Sequence, residues 1–196
     1  MTRKIELNQN DIMPMAEYEK IRKSRRRKNL AAKRDRRMEI GPVAVCHFES
    51  YDSMWHQVHE MLYIEKGGEN QIADELAAYN PLIPKGRELI CTVMFEIDEP
   101  SRRKAFLSKL GGVEDTMTIE FAGKTVTGIP AEDVDRTTHD GKASSVQFIH
   151  FPFSCAQIEA FRQSGTQVIV GFQHPQYSHL AVMPETTRDA LSKDFL

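Results

Sequence analysis

Val43–Glu65, VAVCHFESYDSMWHQVHEMLYIE, sets a short apolar strand directly before an amphipathic helix, and the reading of the whole chain turns on it. In the strand half, Val43, Val45 and His47 fall on one face and Ala44, Cys46 and Phe48 on the other. Both faces are therefore expected to be covered. In the helical half, Met54, Trp55, Val58, Met61 and Leu62 share one face, the pattern of a helix docked on a core. His56 and Glu60, four residues apart, lie on the opposite side with His59 and Tyr63 flanking them. One face builds the fold and the other is left for chemistry.

Working outward toward the amino terminus, Asn10 or Asp11 is placed to cap a helix that begins near Pro14 and continues through Tyr18 into a basic run. Gly41-Pro42 stops that helix. On the other side, Gly67-Gly68 is a natural C-cap, and Asn70 begins a second helix carrying Ile72, Leu76 and Tyr79. Leu89, Cys91, Val93, Phe95 and Ile97 alternate with Ile90, Thr92, Met94 and Glu96, the clearest period-two strand in the chain and a natural central strand. Pro100-Ser101 opens a short helix closed by Gly111-Gly112. TMTIEF and KTVTGI flank Ala122-Gly123 as a hairpin. PAEDVDRTTHDGKAS reads as a polar loop. SVQFIHF is a strand, residues 155–162 a helix, and TQVIVGF and LAVM strands separated by QHPQYSH, with a last helix from Pro184. The expectation is an α+β fold in a single domain over residues 1–196, with a largely antiparallel mixed sheet, packed helices, and a basic helical segment at 1–40 packed on or extending from it.

No Pro/Gly/Ser-rich linker divides the 196 residues, and 40% apolar with 28% charged residues is ordinary soluble globular composition. There is no long apolar run and no signal-peptide pattern, so a cytoplasmic, non-membrane protein is expected. Cys46, Cys91 and Cys155 are odd in number and far apart, which suits reduced thiols. The net charge of −2 conceals an asymmetry. Lys20 to Arg37, KIRKSRRRKNLAAKRDRR, holds eleven of the 26 basic residues and one acid, leaving fifteen bases against 27 acids elsewhere. Such a run either follows phosphates on nucleic acid or packs against the acidic body of its own chain or of a second copy in a homo-oligomer.

The absent motifs remove whole classes. HEMLY has tyrosine where a zincin needs its second histidine, and Glu60 is followed three residues on by Tyr63 rather than the histidine of a di-iron site. There is no C-x-x-C, G-x-S-x-G, P-loop or G-x-G-x-x-G, and no catalytic residue is assigned. What remains is a set of oxygen and imidazole donors: Glu49, His56, His59 and Glu60 near the central helix, and His174, Tyr177 and His179 in the late turn. Imidazole with carboxylate suits iron, zinc or manganese.

Several short motifs together carry a resemblance. They are the early Ile12-Met13-Pro14 with Glu17-Tyr18, Arg36-Arg37 leading to Gly41-Pro42, and Phe48-Glu49 before the helix. Gln57 with Glu60-Met61-Leu62, Tyr79-Asn80 with Leu82-Ile83-Pro84, and His174-Pro175 with Tyr177 complete the set. Over nearly its whole length the chain resembles a bacterial domain family of unknown function commonly encoded beside rubrerythrin and a cysteine-rich iron–sulfur oxidoreductase. The resemblance implies a setting rather than a mechanism: a soluble partner in peroxide defence or iron-linked electron transfer. The positions of His56 and His59 are more often Tyr and Gln in that family, which shifts weight to Glu49, Gln57, Glu60 and His174. It also makes Arg36-Arg37 with Gly41-Pro42 architectural. Three readings follow: an accessory or interaction protein of a rubrerythrin-type or iron–sulfur system, a metal- or haem-binding redox protein with Met54, Met61, Met94 and the histidines as axial ligands, and a nucleic-acid-binding regulator acting through Lys20 to Arg37.

Overall fold

The computed structural model describes residues 4–131, 137 and 141–196. Of the polar loop expected at 130–144, residues 132–136 and 138–140 lie outside the described residues.

Helix α1 (Met15–Arg34) leads into strand β1 (Arg37–Ile40), then β2 (Ala44–Phe48), α2 (Tyr51–Glu65), α3 (Glu69–Tyr79), β3 (Glu88–Phe95) and α4 (Pro100–Leu107). β4 (Met117–Phe121), β5 (Lys124–Thr127), β6 (Ile129–Pro130) and β7 (Val146–Pro152) follow, then α5 (Cys155–Arg162), β8 (Val168–His174), β9 (Tyr177–Val182) and α6 (Glu185–Ser192). The α+β class holds, but the strands form two sheets rather than one. The first has the order β1-β2-β3-β7-β6 and the second β5-β4-β8-β9. Every pairing between these strands is antiparallel, with short connections joining β1 to β2, β4 to β5 and β8 to β9.

The period of two in β3 explains the layers. Leu89, Cys91 and Val93 point into a core shared with Ile119, Phe121, Val170 and Phe172 of the second sheet. Ile90 points the other way, into a second core with Trp55, Val58 and Leu62 of α2 and Tyr18 of α1. The five-stranded sheet is thus covered on both faces, by the four-stranded sheet on one and by helices on the other. β3 is its middle strand, and in β2 Ala44, Cys46 and Phe48 face the inter-sheet core as their alternation requires. Phe121, Phe153, Phe161 and Phe195 close one end of the sandwich, with ring centroids 4.8 to 5.7 Å apart where they meet.

The basic helix ends before the expected stop at Gly41. Arg36 turns the chain: its Nε donates to the Phe48 carbonyl at 3.0 Å and its Nη2 to the Glu49 carbonyl at 2.8 Å, and it pairs with the buried Asp194 carboxylate. β1 then forms with only Met38 and Ile40 buried. At the β1–β2 turn Gly41 sits at φ +71°, clamped by the late hairpin. Tyr177 donates its hydroxyl proton to the Ile40 carbonyl at 2.5 Å and accepts the Ala44 N–H at 3.1 Å. A Cβ on Gly41 would lie 2.5 Å from His179 Cγ and 2.8 Å from Tyr177 Oη. Gly41→Ala should therefore lower the unfolding free energy by about 1–3 kcal/mol in urea titrations, whereas Gly123→Ala, at a positive φ but with open space around it, should cost less.

Candidate functional site

The polar face of α2 does not look into solvent. α1 runs antiparallel across it, so that Tyr18 meets His56, His59 and Glu60, while Arg25 meets Trp55. Tyr18 is fully buried in a helix that has no other buried residue. Its hydroxyl donates to Glu60 Oε1 at 2.7 Å, and Arg22 grips the same carboxylate with two parallel bonds of 2.8 Å, from Nε to Oε1 and from Nη2 to Oε2. Such a fork is the strong form of ion pair. It holds Glu60 well below the usual carboxylate range, at about 2, against the opposing effect of burial, with the Tyr18 hydrogen bond adding to the same shift. Burial and the hydrogen bond to Glu60 in turn raise the Tyr18 phenol.

His59, expected at the edge of an open face, is fully buried. Its Nδ1–H donates to the Trp55 carbonyl at 2.7 Å and its Nε2 accepts the Met13 N–H at 3.0 Å. The ring packs 3.8 Å from the Trp55 centroid and 4.9 Å from that of Tyr18. Both nitrogens are spent, and burial pushes the imidazole pKa down, so the ring is a neutral structural bolt. That corrects its candidacy as a metal ligand.

The other candidates are likewise occupied, or distant. Glu49 is buried at the start of α2, accepting from Ser53 Oγ and Thr92 Oγ1 at 2.7 Å each. Gln57 reaches only the Tyr79 hydroxyl, at 3.5 Å. His174 lies in the second sheet, where Nε2–H donates to the Gly111 carbonyl and Nδ1 accepts the Gln176 N–H, both at 3.2 Å. Tyr177 and His179 hold the Gly41 turn. QHPQYSH spans the tight hairpin turn between β8 and β9. Among the described residues no three His, Cys, Asp or Glu side chains meet in a way that could hold a metal ion. Of the expected donors the structure brings together His56 and Glu60, through Tyr18, and separately Tyr177 and His179, whose rings meet at 4.5 Å over the Gly41 turn.

With Tyr18, Arg22 and Arg25 on the inner side of α1, Lys23, Arg26, Arg27 and Lys28 are exposed, while Lys33 is half-buried beside His56. Lys20 pairs with Glu17 and Arg34 with Asp35, but among the described residues Lys23, Arg26, Arg27, Lys28 and Lys33 have no carboxylate within ion-pair distance. Of the basic run, Arg22, Arg36 and Arg37 pair with carboxylates outside α1, and these five do not. Beside them a groove of about 570 Å³ runs between the two helices, bordered by Arg22, Lys23, Arg26, Arg27 and Lys33 on α1 and by His56 and Tyr63 on α2, with Glu19, which accepts the Tyr63 hydroxyl proton, its one carboxylate among the described residues. Leu30, 73% exposed, stands at its edge.

Comparison with known proteins places this geometry. Residues 6–195 match the family of proteins of unknown function DUF3501. The chain belongs to this family. It is also similar to a crystal structure described as a novel protein of unknown function from Burkholderia pseudomallei K96243, with 30% identity over 97% of this chain and 99% of that one and a TM-score of 0.89. No curated protein matches. No helix among the described residues is long and apolar enough to cross a membrane.

Tyr18, Arg22 and Arg25 are the members of the seam that sequence reasoning passed over. The i, i+4 spacing of Tyr18 and Arg22 mirrors that of His56 and Glu60, a signal that gains meaning only once the helices are known to pair. Glu60→Gln should destabilise the protein by about 1–3 kcal/mol at neutral pH, because Arg22 loses its charged partner in a half-buried seam. With the folded pKa depressed, the wild-type contribution is complete above the ordinary value of 4.5 and fades as pH falls toward about 2. Urea unfolding of both proteins at pH 7 and in acid checks this: the gap between them should narrow with acidification.

Proposed function

We propose that the chain is an interaction protein that docks an acidic protein partner through the outer face of α1, as an accessory component of a rubrerythrin-linked peroxide-defence or iron/redox system. The setting comes from the family resemblance, and the docking mode from the geometry. One observation carries the docking mode: Lys23, Arg26, Arg27 and Lys28 stand exposed and without a carboxylate among the described residues, on a helix that Glu60 and Trp55 hold in place. An α-helix of this length is about 30 Å long, enough to span one side of a modest protein interface. Preorganised cations raise association rates with an acidic surface and fix the register of docking.

Nucleic acid is the competing occupant. Base stacking needs open aromatic faces, but Arg22 lies over the Tyr63 ring at 4.4 Å and Arg25 over the Trp55 ring at the same distance. The exposed Leu30 also suits a protein surface better than a phosphate backbone.

Replacing Lys23, Arg26 and Arg27 together by Gln leaves Tyr18, Arg22 and Arg25 in place and should not change folding. Untagged wild-type and variant proteins would be crosslinked in lysate at low and high salt, and the partners of each identified by mass spectrometry. The expected result is a partner with an acidic surface, captured at low salt by the wild type and lost in the variant. Mixed-sequence duplex and single-stranded DNA titrated at low salt form the second arm. Tight DNA binding abolished by the triple substitution would overturn the docking reading, as would retention of every partner by the variant.

A further inference from the structure

The protonation of His56 follows from its neighbours. Glu60, ionised beside Arg22, offers only lone pairs, so the single hydroxyl proton of Tyr18 is committed to Glu60 Oε1 at 2.7 Å. Tyr18 Oη then has only a lone pair to present to His56 Nδ1, 3.1 Å away. Nδ1 must therefore carry the proton, and in a neutral ring Nε2 is bare. Nε2 has no protein partner among the described residues, and the half-buried ring borders the cationic groove. An anion entering that groove would meet cations along α1 and an imidazole lone pair on α2. One proton on Nε2 converts that repulsive contact into a charge-assisted hydrogen bond.

We propose that the α1–α2 groove is an oxyanion site that takes up a proton on His56 Nε2 as it fills, its natural occupant being a carboxylate-rich segment of the acidic partner. The identity of the occupant rests on the docking reading above; the proton uptake rests on the His56 geometry. The proton comes from solvent, and no bond in the ligand breaks. The groups facing His56 are Tyr18, Arg22, Arg26 and Lys33 on α1 and Glu60 on its own helix, with Glu19 lining the same groove and Arg25, Lys28, Arg36 and Asp52 lining a smaller cleft that the ring also borders. Burial, foremost, and then Lys33, Arg26 and Arg22 hold its pKa below the ordinary 6.5, and Glu60 opposes them. The empty groove therefore holds neutral His56 at pH 7. Carboxylates in the groove offset the same three cations and raise the pKa of the ring. Between the empty-site and filled-site values each binding event takes up a proton, so affinity rises as pH falls through that window and levels off below it. The single-proton limit is about tenfold per pH unit. Leu30 at the groove edge favours an acidic segment that also carries an apolar residue.

Two probes separate this inference from the docking reading. Poly-L-glutamate, titrated calorimetrically into the full chain at low salt in buffers of different ionisation enthalpy, tests whether carboxylates bind and how many protons accompany them. Sulfate, which does not titrate near neutral pH, is followed by NMR of the His56 ring and tests the site without any partner. The expected results are uptake approaching one proton per site, affinity rising up to about tenfold per pH unit within the window, and a His56 pKa raised by sulfate. His56→Gln should still bind but with a pH dependence below about twofold per unit. Lys33→Gln, which spares the Tyr18 seam, should raise the His56 pKa of the empty site and weaken binding. Poly-glutamate binding with no proton uptake, or with an unchanged pH slope in His56→Gln, overturns the inference and leaves docking intact. Failure of poly-glutamate to bind, with sulfate still raising the His56 pKa, overturns docking and supports the proton-linked site. A His56 pKa unmoved by sulfate overturns the site itself.

Discussion

One carboxylate, Glu60, decides how the helical layer sits. α1 carries Lys20, Arg22, Lys23, Arg25, Arg26, Arg27 and Lys28 within nine residues, and like charges at i, i+3 and i, i+4 repel each other along its surface. Such a helix has little apolar face with which to hold itself to a core, and helices of this length gain most of their stability from tertiary contacts. Its attachment is a polar one. Glu60 takes a proton from Tyr18 and the fork of Arg22, Trp55 receives Arg25 on its face, and Arg36 closes the far end on Asp194 and the carbonyls of Phe48 and Glu49. Removing the negative charge at position 60 would leave Arg22 without its carboxylate, held only over the Tyr63 ring, in a region already dense with cations.

The same seam divides labour among the cations. Arg22 and Arg25 on the inner side of α1 are engaged by Glu60 and Trp55, while Lys23, Arg26, Arg27 and Lys28 project outward. The inter-sheet core needs none of this: its leucines, valines and phenylalanines close on one another by burial alone, and the aromatic cluster at the end of the sandwich brings in the C-terminal Phe195. Changes to the outer face of α1 can therefore alter what the protein touches without reaching the core that folds it.

The elements most legible in the sequence were those whose pattern is settled within a few residues. β3 showed its alternation, α2 its buried stripe, and Ala122-Gly123 its hairpin, with both residues at positive φ. β1 was hidden because four residues, two of them buried, are too few to establish a period after a long basic helix. The division into two sheets was hidden because strand partners are chosen by the joint burial of two faces, which no single segment encodes. The reading of α2 failed on its second face for a different reason. A helical wheel sorts residues by polarity and equates polar with solvated, whereas here the polar face is covered by a complementary polar face. His59 is the sharpest instance: an imidazole with both nitrogens bonded and an indole stacked on it is buried as completely as Val58.

The distribution of the histidines narrows what chemistry the chain can support. A ligand must offer a lone pair that the fold has not already claimed. His59 and His174 each have one nitrogen donating to a carbonyl and the other accepting an amide, and Glu49 and Glu60 have both carboxylate oxygens bonded. Turning any of them toward a metal would break contacts that position α2, the β8–β9 turn or α1. Among the candidate ligand histidines, His56 alone combines a bonded nitrogen with one that has no protein partner among the described residues, and its ring borders a groove lined by guanidinium and ammonium groups. Such surroundings disfavour a metal cation and favour an anion, which is a property of the charges around the ring rather than of the imidazole itself.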